Sequence, residues 1–148
     1  DYKLLLIGKH SSVHKKYFRK VMEKVKRNPN IEYIESVPNE EIYSIYKHCK
    51  VSVLPSWFET PGLVSLEAAA MGCNIVVSDR GTTRDYFKEY AYYCDPSDIQ
   101  SIREAIEAAY TRPYNNKLRD IIFTQYTWTN TAKKTLEAYK KVLERGII

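Results

Sequence analysis

Apolar residues along this chain follow two periods. Leu4–Ile7, Ile31–Ile34, Val51–Leu54 and Ile75–Val77 are short, mostly apolar blocks. Blocks of that length, bounded by turn residues, predict strands buried on both faces, as in a parallel sheet. Between the first two, Val13, Tyr17, Val21 and Val25 recur every four residues with Phe18 and Met22 beside them. That spacing predicts an amphipathic helix ending near Asn28-Pro29. Asn39 is placed to cap a second helix through Ile42, Ile45 and Tyr46. A third helix is expected over Gly62–Met71, stopped by Gly72. Thr83–Lys88 predicts a short helix and Ala91–Tyr93 a fifth strand. Ser97 and Gln100 have the spacing of a capping box ahead of Ile99, Ile102, Ile106 and Ala109. Further helices are expected over Asn115–Thr124 and Trp128–Arg145, the last with Ala132, Leu136, Tyr139 and Leu143 on one face.

The order is strand-helix repeated, then helices alone. It predicts an α/β fold, a parallel sheet covered by helices on both faces. Such sheets bind ligands beyond the carboxyl ends of their strands, here the loops after Ile7, Ile34, Leu54 and Val77. The 148 residues fit one domain able to bury its own core. No apolar run approaches the roughly 18 residues of a membrane span. The opening Asp1-Tyr2-Lys3 has neither an initiator Met nor a leader, from which a piece of a longer protein is expected. Cys49, Cys73 and Cys94 lack metal or disulfide spacing and read as reduced thiols of a cytosolic protein. With 23 basic and 18 acidic residues the net charge is +5. That excess suits phosphate-bearing ligands or an anionic membrane face. No nucleic-acid-binding motif accompanies it, and nucleic acid is not expected as a partner. Much of the charge lies in two segments of helical periodicity, His14–Arg27 and Lys133–Lys141, where a solvated face explains it.

The loop after Val51–Leu54 carries the candidate chemistry. It runs Pro55-Ser56-Trp57-Phe58-Glu59-Thr60-Pro61-Gly62-Leu63-Val64-Ser65-Leu66-Glu67, then Ala68-Ala69-Ala70-Met71-Gly72. Glu59 is expected in the strand-to-helix loop and Glu67 in the second helical turn, with Gly62 opening the helix. A helix start offers free amides and a positive dipole end to an anion, and glycine lets the anion come close. Carboxylates accept hydrogen bonds from vicinal hydroxyls. Acid, anion site and acid in series could hold a sugar, a diphosphate and a ribose. An ordinary helix start with dipole-complementing glutamates explains the same residues.

The longer run VSVLPSWFETPGLVSLEAAAMGCNIVVSDR resembles the donor-site signature of retaining glycosyltransferases of family 4, which have the GT-B fold. Glu40–Tyr46 looks like that family's preceding helix. Gly81, Arg84–Phe87 and Cys94-Asp95-Pro96 look like its downstream segment, and Tyr126-Thr127-Trp128 with Tyr139 like its C-terminal end. The resemblance implies a Rossmann-like donor domain, the C-terminal half of a GT-B enzyme, spanning 1–148 and truncated at its N-terminus. It implies that Glu67 binds the ribose hydroxyls, that Glu59 contacts the donor sugar near the reacting centre as the catalytic residue, and that Gly62, Leu63 and Val64 meet sugar and phosphates through backbone. Val37 falls where the family contacts the base. The implied partners are a nucleotide-diphosphate sugar, an absent N-terminal acceptor domain and a glycan or lipid-linked acceptor. No cofactor and no obligatory metal are implied. The implied location is cytoplasmic, with peripheral contact to the inner membrane face left open. Pro61 stands where the family has Phe, and suits a first helical turn. The family's phosphate-binding Arg and Lys have no counterpart here, and the chain alone is expected to transfer little or nothing.

Other residues stay in supporting roles. His10, His14 and His48 lack metal-ligand partners and read as surface histidines. Ser65 lacks the setting of a nucleophile. Gly8 lacks the further glycines of a dinucleotide fingerprint. Trp57 and Phe58 either stack on a sugar or pack against the sheet. Two other functions fit the same fold: a sugar-nucleotide epimerase of GT-B type, and a non-catalytic nucleotide-sugar-binding module.

Overall fold

The computed structural model describes residues 2–146. The chain forms two compact units, Asp1–Ile42 and Tyr43–Ile148. In the first, β1 (Leu4–Ile7) and β2 (Ile31–Ile34) pair in parallel, Leu4 opposite Ile31 and Ile7 opposite Ile34. Their crossover is a 3-10 turn, Ser12–His14, followed by α1 (Lys15–Arg27). The expected helix therefore starts after Val13, which stays exposed along with Tyr17. The stripe that is partly covered is Phe18, Val21, Met22 and Val25. Phe18 lies between His10 and Tyr33, stacked on the first at 4.5 Å and edge-on to the second at 5.5 Å. His10 is thus a packing residue beside Glu35, 3.7 Å away. Helix α2 (Asn39–His48) begins one residue earlier than expected. The Pro38 carbonyl accepts from the Glu41 and Ile42 amides, which puts Asn39 inside the first turn.

The second unit is a three-stranded parallel sheet of β3 (Val51–Leu54), β4 (Asn74–Ser78) and β5 (Tyr92–Cys94), with β4 central. Val51 faces Asn74, and Ser78 faces Cys94. Backbone pairing thus runs in two separate ladders, one per unit, both parallel as the periodicity predicts. Every residue of β4 is buried. Its side chains alternate: Ile75 and Val77 enter one cluster with Leu66, Ala68, Ala69, Phe87, Leu118 and Ile122, while Val76 enters another with Cys94, Ala105 and Ala109. Helix α3 (Leu63–Ala70) and α6 (Asn116–Gln125) therefore cover one face, and α5 (Ile99–Thr111) the other. Past its first turn α3 is apolar nearly all round, as a helix buried on several sides must be. Its alanines, 68–70, let it sit close to the strand.

Local chemistry sets the helix ends. Asn115, expected as the first residue of a helix, is instead the cap of α6, accepting from the Lys117 amide at 3.0 Å. The cap of α5 is Asp98, not Ser97: its carboxylate accepts from the Gln100 amide at 2.8 Å. Ser97 instead donates its hydroxyl to Asp95 at 2.6 Å. At the other end of α5, the Asn74 amide donates to Ala109 and Arg112 carbonyls at 2.7 and 3.0 Å, tying the start of β4 to the helix end. Helix α4 (Thr83–Phe87) gives way to a 3-10 turn, Lys88–Tyr90, so β5 starts at Tyr92. Helix α7 (Trp128–Glu144) keeps the expected apolar face, but none of its residues is buried. No helix among the described residues is long and apolar enough to cross a membrane.

Candidate functional site

The carboxyl ends of β3 and β4 carry two neighbouring connections, residues 55–62 and 79–82. Gly62 is the N-cap of α3 and is left-handed, φ 70° and ψ 63°. Few residues other than glycine adopt that conformation at no cost. Its carbonyl accepts the Ser65 and Leu66 amides at 2.9 and 3.2 Å. The Leu63 and Val64 amides precede Ser65, the first amide with an intrahelical acceptor, and the positive end of the helix dipole lies with them. Their side chains are half exposed, 55% and 49%, in a helix whose remaining residues other than Glu67 are buried. Pro61 lies one residue outside the helix, before Gly62, and not in its first turn.

Glu59 and Glu67 are both half-buried. Among the described residues neither carboxylate takes an ion pair or a side-chain hydrogen bond. Glu67 lies in the second turn of α3, near Tyr46. Burial, and after it the Glu67 charge, push the Tyr46 phenol up to about 12. Glu59 packs against Gly62: a Cβ on that glycine would stand 3.0 Å from the Glu59 Cγ. The chain thus gathers Glu59, Gly62, Leu63, Val64 and Glu67 around one helix start. Val37 is half-buried in the other unit, between β2 and α2.

Trp57 and Phe58 do not pack against the sheet. They are 64% and 70% exposed. The Arg80 guanidinium lies over the Trp57 ring at 5.0 Å and pairs with Asp95 at 3.1 Å. Arg84 pairs with Asp79 through both carboxylate oxygens and lies 4.1 Å from the centre of the Tyr93 ring. The Arg84 hydrogen bonds hold the Asp79 carboxyl below the usual range. These groups line a cavity of about 390 Å³ beyond the ends of β4 and β5. Three hydroxyls at this end of the unit, of Ser65, Ser78 and Thr82, are buried without a hydrogen-bond partner among the described residues. Unsatisfied polar atoms are uncommon in folded interiors, and here they collect at one edge of the sheet. Sequence reasoning did not find the Asp79–Arg84 and Arg80–Asp95 pairs. Their partners are five and fifteen residues apart across turns, where no periodicity links them.

Comparison with known proteins follows this geometry. Residues 1–128 match the family described as glycosyl transferases group 1. An uncharacterized glycosyltransferase of Methanocaldococcus jannaschii is 30% identical over 122 residues, 77% of this chain and 31% of that protein. The O-antigen chain mannosyltransferase B of Escherichia coli is 27% identical over 127 residues, 81% of this chain and 32% of that protein. The chain therefore spans about a third of the length of these relatives. Among solved structures, a sucrose-phosphate synthase of Thermosynechococcus elongatus superposes with TM-score 0.79 at 21% identity, covering 97% of this chain and 39% of that one. The C-terminal domain of a group 1 glycosyl transferase from Francisella tularensis gives 0.71 at 24%, covering 86% and 71%. The fold is thus the Rossmann-like fold of the C-terminal half of GT-B glycosyltransferases. With the family pattern running from residue 1 to the first residue of α7, this chain belongs to the group 1 glycosyl transferases.

Proposed function

We propose that this chain is the donor-binding half of a retaining glycosyltransferase that moves a hexose from a nucleotide-sugar to a glycan or lipid-linked acceptor. The observation that carries the reading is a pair of glutamates whose carboxylates take no ion pair or side-chain hydrogen bond among the described residues, on either side of a glycine-capped helix start, in a chain of this family. Glu67 accepts hydrogen bonds from the ribose hydroxyls. The amides of Leu63 and Val64 face the diphosphate, and Glu59 takes a hydroxyl of the donor sugar beside the reacting carbon. In the transfer the bond from anomeric carbon to diphosphate oxygen breaks, an acceptor hydroxyl oxygen takes its place, and the hydroxyl proton passes to the leaving diphosphate oxygen. Negative charge grows on the leaving diphosphate, so donors already aimed there lower the barrier.

The acceptor domain is assigned to sequence outside this chain, in keeping with relatives about three times as long. The reaction needs no obligatory metal on this reading, and the 148 residues alone transfer little sugar. Its place is the cytoplasm, at the inner face of a membrane where the acceptor is lipid-linked. Calorimetric titration with UDP, GDP and ADP, each with and without an attached hexose, tests it. One nucleotide is expected to bind selectively, and Glu67→Ala to weaken it by about tenfold, the loss of one charge-assisted hydrogen bond. Equal binding of all three, untouched by Glu67→Ala, would falsify the assignment.

A further inference from the structure

Glu59 lies on a loop, yet its backbone is held from a different connection. The Thr82 amide donates to the Glu59 carbonyl at 3.1 Å. Beside it Gly81, at φ 72°, lies against the same peptide. A Cβ there would overlap the Glu59 carbonyl oxygen and stand 3.0 Å from its amide nitrogen. These neighbours are backbone, which cannot swing aside as a side-chain tip can. On the other side, Glu59 Cγ fills the space a Gly62 side chain would take. Glu59 is therefore seated between two glycines, one against its main chain and one against its side chain.

Nothing in the packing of the core asks for this contact. The Gly81-Thr82 turn is partly exposed, and neither residue belongs to either apolar cluster. What the contact does is set where the Glu59 carboxylate stands relative to the start of α3. We infer that Gly81, together with the Thr82 amide, is a positioning residue for Glu59 and so governs recognition of the sugar rather than of the nucleotide. The inference rests on the donor-site reading above.

The test uses the full-length protein and compares Kd for each nucleoside diphosphate with Kd for its hexose conjugate: UDP and UDP-glucose, GDP and GDP-mannose, ADP and ADP-glucose. Gly81→Ala is expected to weaken the conjugate by roughly tenfold, as ångström-scale misplacement of a contact does, and to leave the diphosphate within about twofold. Gly72→Ala is the control for left-handed strain: φ is 105° there, but a Cβ would meet nothing within 4 Å. It is expected to change neither Kd. Because Gly81 acts through Glu59, Gly81→Ala should add nothing in a Glu59→Ala background. Should Gly81→Ala lose its cooperative melt, Thr82→Pro removes the Thr82 amide donor and sets its ring Cδ against the Glu59 carbonyl, displacing the same peptide from the neighbouring residue, with the same Kd pattern expected. Equal weakening of diphosphate and conjugate, or a full additive effect in the Glu59→Ala background, overturns the inference while leaving the donor site standing. If wild-type protein binds none of the six compounds, the donor-site reading fails and takes this one with it.

Discussion

At the residue scale, Asn74 does work that its residue type alone would not announce. It starts the fully buried strand β4, and its amide holds the Ala109 and Arg112 carbonyls. Asn74→Ala removes both donors and leaves a buried carbonyl unmatched. A loss of about 1–3 kcal/mol in urea denaturation is expected, where an exposed amide would lose little. The same kind of through-space bond explains which site residues were legible. Glu59, Gly62 and Glu67 lie within nine positions and could be read from spacing alone. The Gly81 contact joins residues 22 positions apart through backbone atoms, which no side-chain pattern encodes. Asp98 displaced Ser97 as the cap of α5 for a local reason: Asp95 captures the Ser97 hydroxyl first.

At the element scale, helices with similar amphipathic patterns meet different fates. Leu118 on α6 is 2% exposed and packs into the cluster that α3 and β4 share. Leu136 on α7 is 54% exposed, as are most of its apolar companions. Leu118→Ala should cost about 2–5 kcal/mol by thermal or chemical denaturation, and Leu136→Ala less than about 0.5. Comparable losses at the two positions would contradict the burial described. Periodicity reported both helices correctly, because it records that a face is apolar and not what covers it. Strand positions were read closely because apolar blocks bounded by turn residues mark them, but the expected burial on both faces holds for β4 alone, and Leu4 and Ile7 of β1 are exposed. The start of α1 was misplaced because Val13 continues the four-residue spacing into a 3-10 turn.

At the scale of the whole molecule, the second unit's acidic protons are held more tightly than in an unfolded chain. Burial, with the neighbouring Cys49 after it, pushes the Cys73 thiol from 9.0 up to about 12. Its Sγ–H donates to the Tyr46 and Cys49 carbonyls. Tyr46 and Tyr93 are likewise raised from 10.0 to about 12, chiefly by burial. The unfolded chain releases these protons near pH 9 to 10, while the folded chain keeps them. Stability from these groups is therefore complete below pH 9 and declines as pH rises toward 12. A melting temperature flat from pH 7 to 9 and falling steadily above it is expected. Cys73→Ala should soften the fall, and an unchanged slope would remove the thiol from the explanation.

The buried strand β4 also bears on how such a chain can change over generations. All five of its side chains face packed neighbours, so nearly any substitution there is paid in stability. The connections at the carboxyl ends of β3 and β4 carry exposed side chains, Trp57, Phe58 and Arg80 among them, whose exchange disturbs little of the core. On the proposed donor-site reading, tolerance to mutation and proximity to the donor coincide at one edge of the sheet. New sugar preferences would then arise there by single steps, provided that Gly62 and Gly81 stay as they are.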